Sequence, residues 1–193
     1  MMKELSGKKW VSRFQGSTIT DTLSLTFKSN VNAFLASLRN GGAAITISAT
    51  LRPPERAYLM HWSWKIARGL AEPNAVPGKS GVNIEWVHTK IDGSYDREKS
   101  RQAAREMAAA YGMQNLRVAP ALNSRHTQGN AIDMDIRWAG TLTIKNKAGE
   151  DVVIDSLPRD GMNTALHKVG KTFGVIKYHG GTNDKPHWST DGR

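Results

Sequence analysis

The 193-residue sequence contains no cysteine, and this absence excludes both a disulfide framework and a metal site made of thiolates. Any metal ion would need histidine and carboxylate ligands. Histidine is itself scarce, at six residues, and the His-Glu-x-x-His pattern, a compact zinc-binding motif on one helix, is missing. A metal site would therefore have to draw its ligands from separated segments.

Long apolar runs are absent as well, and no segment of the sequence approaches the roughly 20 apolar residues that span a bilayer. The N-terminal stretch MMKELSGKKWVSRFQG is basic, but the apolar region of a secretory signal peptide does not follow it. We therefore expect synthesis in the cytoplasm, no membrane insertion, and export, if it occurs, by another route.

Negative charge is in short supply, because 27 Lys and Arg residues face 17 Asp and Glu residues, giving a formal net charge of +10. Such an excess favours polyanionic partners, including nucleic acid and the anionic polymers of a bacterial envelope. The sequence has no zinc finger, RNA-binding signature or glycine-rich phosphate loop, so we expect no specific nucleic-acid partner. Arg97, Arg101 and Arg105 recur at helical spacing, which suits either a polymer-binding stripe or, preferably, a solvated helix face.

Hydrophobic periodicity predicts an α+β domain with helices packed on a small central antiparallel sheet. Four helices are predicted. The first has Ser29 as its N-cap and ends at Gly41, and the second covers 52–70. The third runs from Ser94, a possible N-cap, to Gly112, and the fourth covers 163–174. The predicted strands are a buried one at 43–51, a short or extended one at 116–122, one at 131–138, and a hairpin at 141–156. We expect one catalytic domain over 1–193, with about 1–40 as an N-terminal extension and no separate wall-binding domain.

One stretch, NSRHTQGNAIDMDI at 123–136, places an imidazole and a carboxylate around a turn. His126 and Asp133 can supply two metal ligands if Gly129 allows the chain to fold back, since glycine adopts backbone angles closed to other residues. His187, in DKPHW, offers a third ligand. Asp184, three residues earlier, is a carboxylate that need not bind the metal. A hydrolytic metal site requires this set: three protein ligands, an open position for water, and a base nearby.

The pattern Ser124-x-His126-x-x-Gly129-x-Ala131-x-Asp133 resembles the signature of the zinc D-Ala-D-Ala carboxypeptidase and L-alanyl-D-glutamate endopeptidase family. The second motif, Asp-Lys-Pro-His-Trp at 184–188, is similar to the form found in bacteriophage endolysins of that family. The resemblance extends from about 43 to 188. It is less clear for the first forty residues and for the hairpin.

The resemblance implies one Zn²⁺ per chain in a cleft on the sheet, held by His126, Asp133 and His187. It implies further that Asp184 is the general base, that Arg52 stabilises the oxyanion, and that Ser124 contacts substrate. His179, which precedes two glycines and the second motif, is a separate candidate for lining the cleft and binding substrate. Ser124 can equally cap its own turn, and Arg52 can instead make an ordinary ion pair or helix-start contact. Asp135, two residues from Asp133, is a candidate for orienting one of the metal ligands, although a salt bridge is preferred.

The function implied is a zinc metallopeptidase that cleaves a stem-peptide amide of bacterial peptidoglycan, with the L-alanyl-D-glutamate bond favoured. We expect a monomeric phage endolysin, made in the host cytoplasm and acting in the periplasm or cell wall after release. The alternatives are a D-Ala-D-Ala or D-Ala-diaminopimelate peptidase, a non-catalytic envelope-binding module of the same fold, and a basic nucleic-acid-binding protein. If the motifs match by coincidence, their side chains are ordinary surface and strand-edge residues.

Overall fold

The structure is a computed structural model that describes residues 3–193. Within that range the α-helices are α1 (Leu25–Asn40), α2 (Pro54–Ala67), α3 (Arg97–Ala110) and α4 (Thr164–Thr172). The strands are β1 (Glu4–Leu5), β2 (Ala44–Ala49), β3 (Ile84–Glu85), β4 (Ala131–Arg137), β5 (Leu142–Lys145), β6 (Asp151–Ile154), β7 (Ile176–Lys177) and β8 (His187–Ser189). The chain divides into two compact units: Met1–Gln15 with Pro53–Asn123, and Gly16–Arg52 with Ser124–Arg193.

The second unit is built on a four-stranded antiparallel sheet with the order β2-β4-β8-β7, accompanied by the antiparallel hairpin β5-β6. One face of β4 supplies core side chains at every second position, as strand geometry requires. Its Ile132, Met134 and Ile136 are at most 1% exposed and belong to the same core as α1 and α4. The alternate positions 133, 135 and 137 are free to carry polar groups on the opposite face.

Helix α1 begins at Leu25 rather than after Ser29, so the predicted N-cap is wrong. Ser24 takes the N-cap position with an extended backbone. The earlier start is explained by Phe27, which is 1% exposed and continues the apolar stripe through Val31 and Phe34. A helix starting at residue 30 would remove Phe27 from this stripe.

The first unit packs α2 against α3 and contains the short parallel pair β1-β3. Its core includes Trp10, Leu59 and Met107, each at most 2% exposed. Helix α3 is capped by Asp96, whose carboxylate accepts the Lys99 N–H at 2.9 Å. The predicted Ser94 cap is therefore wrong.

The α+β class is confirmed, and the sheets are mixed in type. The predicted strand at 131–138 and the hairpin are present, whereas the described residues 116–122 form no strand. Strand β2 exists but is not buried, because it lies at the edge of its sheet and alternates between exposed and half-buried positions.

The two units alternate along the chain, and the stretch predicted as an extension includes α1, whose apolar face belongs to the core of the second unit. The single catalytic domain over 1–193 stays a prediction. Among residues 3–193, no helix combines the length and the apolar character that crossing a bilayer demands.

Candidate metal centre

His126 is positioned by a short turn that ends in a left-handed glycine. The side chain lies on a 3₁₀ turn, His126–Gln128, and Gly129 follows with φ 68°. A Cβ atom on Gly129 would lie 3.0 Å from the Ser24 nitrogen and 3.2 Å from the Thr22 oxygen. Because both the backbone angle and the lack of space favour glycine, the predicted role of Gly129 in folding the chain back agrees with the structure.

Asp133 and His187 are brought together by strand pairing. Asp133 lies on β4 directly opposite His187 on β8. Since β4 turns its even-numbered residues into the core, Asp133 lies on the other face of the strand. The register of the sheet therefore joins two segments that are 54 residues apart in the sequence.

Three donor atoms of these residues converge on one point. His126 Nε2 lies 3.0 Å from Asp133 Oδ1 and 3.2 Å from His187 Nδ1, and His187 Nδ1 lies 3.1 Å from Asp133 Oδ1. Donor atoms bound about 2.1 Å from a tetrahedral ion would lie about 3.4 Å from one another. The group can therefore hold a metal ion with only a small expansion.

In each imidazole, the ring nitrogen that points away from Asp133, here called the outer nitrogen, faces a backbone oxygen. His126 Nδ1 lies 2.6 Å from the oxygen of Thr50, and His187 Nε2 lies 3.1 Å from the oxygen of Arg193. A carbonyl oxygen only accepts hydrogen bonds, so each outer nitrogen carries a hydrogen and donates it. In a neutral ring the inner nitrogen then presents a lone pair.

Two imidazole lone pairs and a carboxylate oxygen that approach to 3.0–3.2 Å repel one another unless positive charge lies between them. Protonation of the rings would provide that charge, and so would a metal ion. Metal-binding histidines characteristically donate their second N–H to a backbone carbonyl or a carboxylate, as these two do. The donor set and its hydrogen bonds thus fit a metal ion.

The ionisation of the group reflects its burial and its internal contacts. Burial opposes the ionised form of Asp133, but hydrogen bonds from His126 and His187 outweigh it and hold the pKa of this carboxyl well below its usual range. Burial likewise opposes protonation of His187, yet the contact with Asp133 leaves its pKa raised overall. Both shifts mark a site that attracts positive charge.

Asp184 lies at the rim of this group. It ends a 3₁₀ turn, Gly181–Asp184, and its Oδ2 is 3.9 Å from His187 Nδ1. The side chain is 47% exposed, so it is open to a reactant on one side. Burial of the rest of the carboxyl, together with the negative charge of Asp133, raises its pKa. The position suits a proton acceptor beside the three donor atoms.

The other predicted site residues make hydrogen bonds through their backbone N–H groups. The Arg52 backbone N–H donates to the oxygen of His126 at 3.1 Å. The Ser124 N–H donates to Thr127 Oγ1 at 2.9 Å, an arrangement that stabilises the turn before His126. His179 is exposed, and its backbone N–H donates to the oxygen of Gly192. The roles of Arg52, Ser124 and His179 with substrate stay predictions.

Lys177, which is not among the residues predicted from the sequence, lies buried in β7 beside the centre, with 5% of its surface exposed. Its Nζ donates to the backbone oxygens of Lys185 and His187, the latter at 3.3 Å, and lies 5.0 Å from the Trp188 ring centroid. Burial lowers its pKa to about 8, against the opposing effect of nearby carboxylates, chiefly Asp184. The one sequence signal is its alternation with Val175, which places the lysine on an apolar face.

Arg125, next to His126, was also missed. Its guanidinium makes two hydrogen bonds to the Asp191 carboxylate, one of them from Nε at 3.0 Å. This pair connects the turn that carries His126 to the segment that follows β8. A lone arginine beside a histidine gives no such indication in the sequence.

The helical arginines and other histidines have structural partners. Arg97 and Arg101 both pair with Glu72, and Arg105 pairs with Glu98, as expected of a solvated helix face. Asp135 is exposed on β4. The other histidines pack or bond locally, as His61 does with Pro120 and His167 with Gly161. Within residues 3–193, the metal-binding geometry is found at 126, 133 and 187.

Comparison of the chain with family models, with curated proteins and with solved structures finds no match. The resemblance of the two motifs to the zinc peptidase family therefore stays a prediction, and the chemistry of the site follows from its own geometry.

Proposed function

We propose that the protein is a zinc-dependent hydrolase that cleaves an amide bond in the stem peptide of bacterial peptidoglycan. The main support is the convergence of His126 Nε2, Asp133 Oδ1 and His187 Nδ1 within 3.2 Å of one another. Two imidazole nitrogens and one carboxylate oxygen form a donor set typical of catalytic zinc, which keeps a fourth position for water or substrate.

Zinc is favoured over harder cations because two of the three donors are imidazoles, whereas Mg²⁺ and Ca²⁺ prefer oxygen ligands. A bound zinc ion would polarise the scissile carbonyl and make water nucleophilic at neutral pH. The nearly complete burial of His126 and His187 supports a specific site rather than adventitious surface binding, because each is at most 6% exposed.

Asp184 would act as the general base of this reaction. Its half-exposed carboxylate can accept a proton from the attacking water and pass it to the leaving amine. The raised pKa of Asp184 makes its carboxylate a stronger base towards the attacking water, and a group that both accepts and returns a proton works best when its pKa lies near the operating pH. Lys177 would hold the backbone of the segment between Asp184 and His187 in place through its two carbonyl contacts.

The substrate class is based on the motif resemblance and on charge. Peptidoglycan stems carry free carboxylates, and a chain with a net charge of +10 is attracted to such a polymer. The motif at 184–188 favours the L-alanyl-D-glutamate bond and a phage lysis enzyme that reaches the wall from the host cytoplasm after release. The pocket walls, rather than the metal ligands, would choose the bond.

The proposal is tested by incubating purified protein with cell-wall sacculi and identifying the released muropeptides by mass spectrometry. We expect cleavage between L-alanine and D-glutamate, loss of cleavage with a chelator, and recovery with zinc. The Asp184→Asn variant should retain zinc and lose about 10²- to 10⁴-fold in turnover. The Asp155→Asn change, at an exposed loop position, is the matched control and should leave turnover unchanged.

Sacculi left intact by the zinc-loaded protein would reject the proposal, and so would full activity of the Asp184→Asn or His126→Ala protein. Cleavage at a D-alanine bond would instead identify a D-Ala-D-Ala or D-Ala-diaminopimelate peptidase. Binding to sacculi without cleavage would identify an envelope-binding module. Salt-sensitive DNA binding that survives chelation would indicate a nucleic-acid-binding protein.

A further inference from the structure

The segment 189–193 folds back towards the candidate metal centre through a set of internal hydrogen bonds. Ser189 is fully buried, and its Oγ accepts the backbone N–H groups of Gly192 at 2.8 Å and Arg193 at 3.1 Å. The Gly192 oxygen accepts the His179 N–H at 2.9 Å. These contacts fix the course of the chain after β8, so that the oxygen of Arg193 points at a ring nitrogen of His187.

The Arg193 oxygen determines which ring nitrogen of His187 carries the hydrogen. It lies 3.1 Å from Nε2, the ring nitrogen that faces away from Asp133. By accepting the Nε2 hydrogen, it selects the tautomer in which Nδ1 keeps its lone pair directed at Asp133 and His126. Without this acceptor the hydrogen could lie on Nδ1, which would block metal binding by that atom.

Asp191 connects the same segment to the other histidine ligand. Its carboxylate accepts two hydrogen bonds from the Arg125 guanidinium, next to His126. It also accepts two from Arg193, one from the backbone N–H at 3.3 Å and one from the side-chain Nε at 2.9 Å. Bidentate pairs between arginine and carboxylate are strong and directional. Asp191 therefore joins the turn that carries His126 to the backbone that orients His187.

We propose that residues 189–193 position the metal ligands: the backbone oxygen of Arg193 orients the His187 ring, and Asp191 secures this segment to the His126 turn. The inference rests on the proposed function to the extent that it requires a metal at this site. It adds positioning residues that lie outside both sequence motifs. The Arg193 side chain plays a lesser part, because its pair with Asp191 is formed by a guanidinium that is 75% exposed, and exposed ion pairs contribute little. The contact with His187 uses the backbone.

This distinction provides a matched pair of variants. Deleting Gly192 and Arg193 removes the acceptor of the His187 N–H. Arg193→Ala keeps that acceptor and removes only the side chain with its exposed pair to Asp191. Loss of a hydrogen bond to a metal-ligating histidine typically weakens metal affinity by about 10–100-fold. We expect such a loss for the deletion and a change of less than about twofold for Arg193→Ala.

A second pair tests Asp191 without shortening the chain. Asp191→Asn preserves the shape of the side chain and removes its charge, so it should weaken metal binding. Asp151→Asn, which removes an exposed ion pair with Lys145 on the hairpin, should not. Zn²⁺ affinity is measured by competition with a chromophoric chelator, and the visible spectrum of the Co²⁺ form reports the ligand geometry. Unfolding of the chelated proteins checks that each variant is folded.

Weaker Zn²⁺ binding and an altered Co²⁺ spectrum in the deletion and in Asp191→Asn, with both control variants like wild type, would support the inference. Binding by the deletion variant as tight as that of Arg193→Ala would overturn it and leave the proposed function intact. If wild type itself binds no Zn²⁺, the proposed function and the inference both fail. The two failures are thus distinguishable from one set of titrations.

Discussion

Lys177 allows a quantitative test of the burial of charge beside the candidate metal centre. The residue is 5% exposed, and burial lowers its pKa from 10.5 to about 8. A base whose pKa is lower in the folded state destabilises that state while it is protonated. Between pH 8 and 10.5 the unfolded chain binds more protons at this position than the folded chain does, so the free energy of unfolding should rise with pH there.

The size of the effect follows from the two pKa values. Each unit between them corresponds to about 1.4 kcal/mol, so the interval from about 8 to 10.5 corresponds to about 3 kcal/mol. The Lys177→Met variant keeps a similar length of side chain and removes the ionisable group. The free energy of unfolding of wild type minus that of the variant should therefore increase by about 3 kcal/mol between neutral pH and about pH 10.5.

Urea denaturation followed by tryptophan fluorescence provides the assay, with a chelator present so that bound metal does not contribute. The Lys145→Met variant, at an exposed strand position, controls for the loss of one positive charge. If the difference between wild type and Lys177→Met stays constant over this pH range, the Lys177 ammonium is not desolvated and the reasoning is refuted.

Three further predictions concern the turn, the ligand carboxylate and the core. Gly129→Ala should lower the free energy of unfolding by about 1–3 kcal/mol, because the residue has φ 68° and no space for a methyl group; an unchanged urea midpoint would contradict this. In chelated protein, the stability advantage of wild type over Asp133→Asn should be present at neutral pH and should disappear as acid protonates Asp133, because its folded pKa is lowered; an advantage that grows in acid would reverse the sign. Gly170→Ala should cost about 1–3 kcal/mol by overpacking, since its Cβ would lie 2.8 Å from Trp188 Cζ3, and thermal unfolding checks it.

The sequence alone was sufficient for features that depend on local pattern. The alternation in AIDMDIR predicted β4, and the three metal-binding candidates were found because their residue types and spacing are themselves the signal. Helix starts were predicted less well, because Ser24 and Ser29 are equally good N-caps in isolation and only the burial of Phe27 decides between them.

Other features had a weak signal in the sequence or none. Lys177 resembles a solvated surface lysine until the pairing of β7 with β8 places it over Trp188. The oxygens of Thr50 and Arg193 belong to the backbone, so no residue type identifies them as partners of the imidazoles. Contacts made by the main chain depend on tertiary folding, and they became visible only with the structure.

Strand β4 turns Ile132 and Met134 towards the apolar interior and Asp133 away from it, directly opposite His187. Sliding this strand by one residue would exchange the two faces, burying the carboxylate and exposing the isoleucine and methionine. The hydrophobic effect thus sets the alignment that brings the three donor atoms together. The geometry of the metal-binding group is therefore maintained by apolar side chains that do not belong to it, and misalignment of the strand would destabilise the whole second unit.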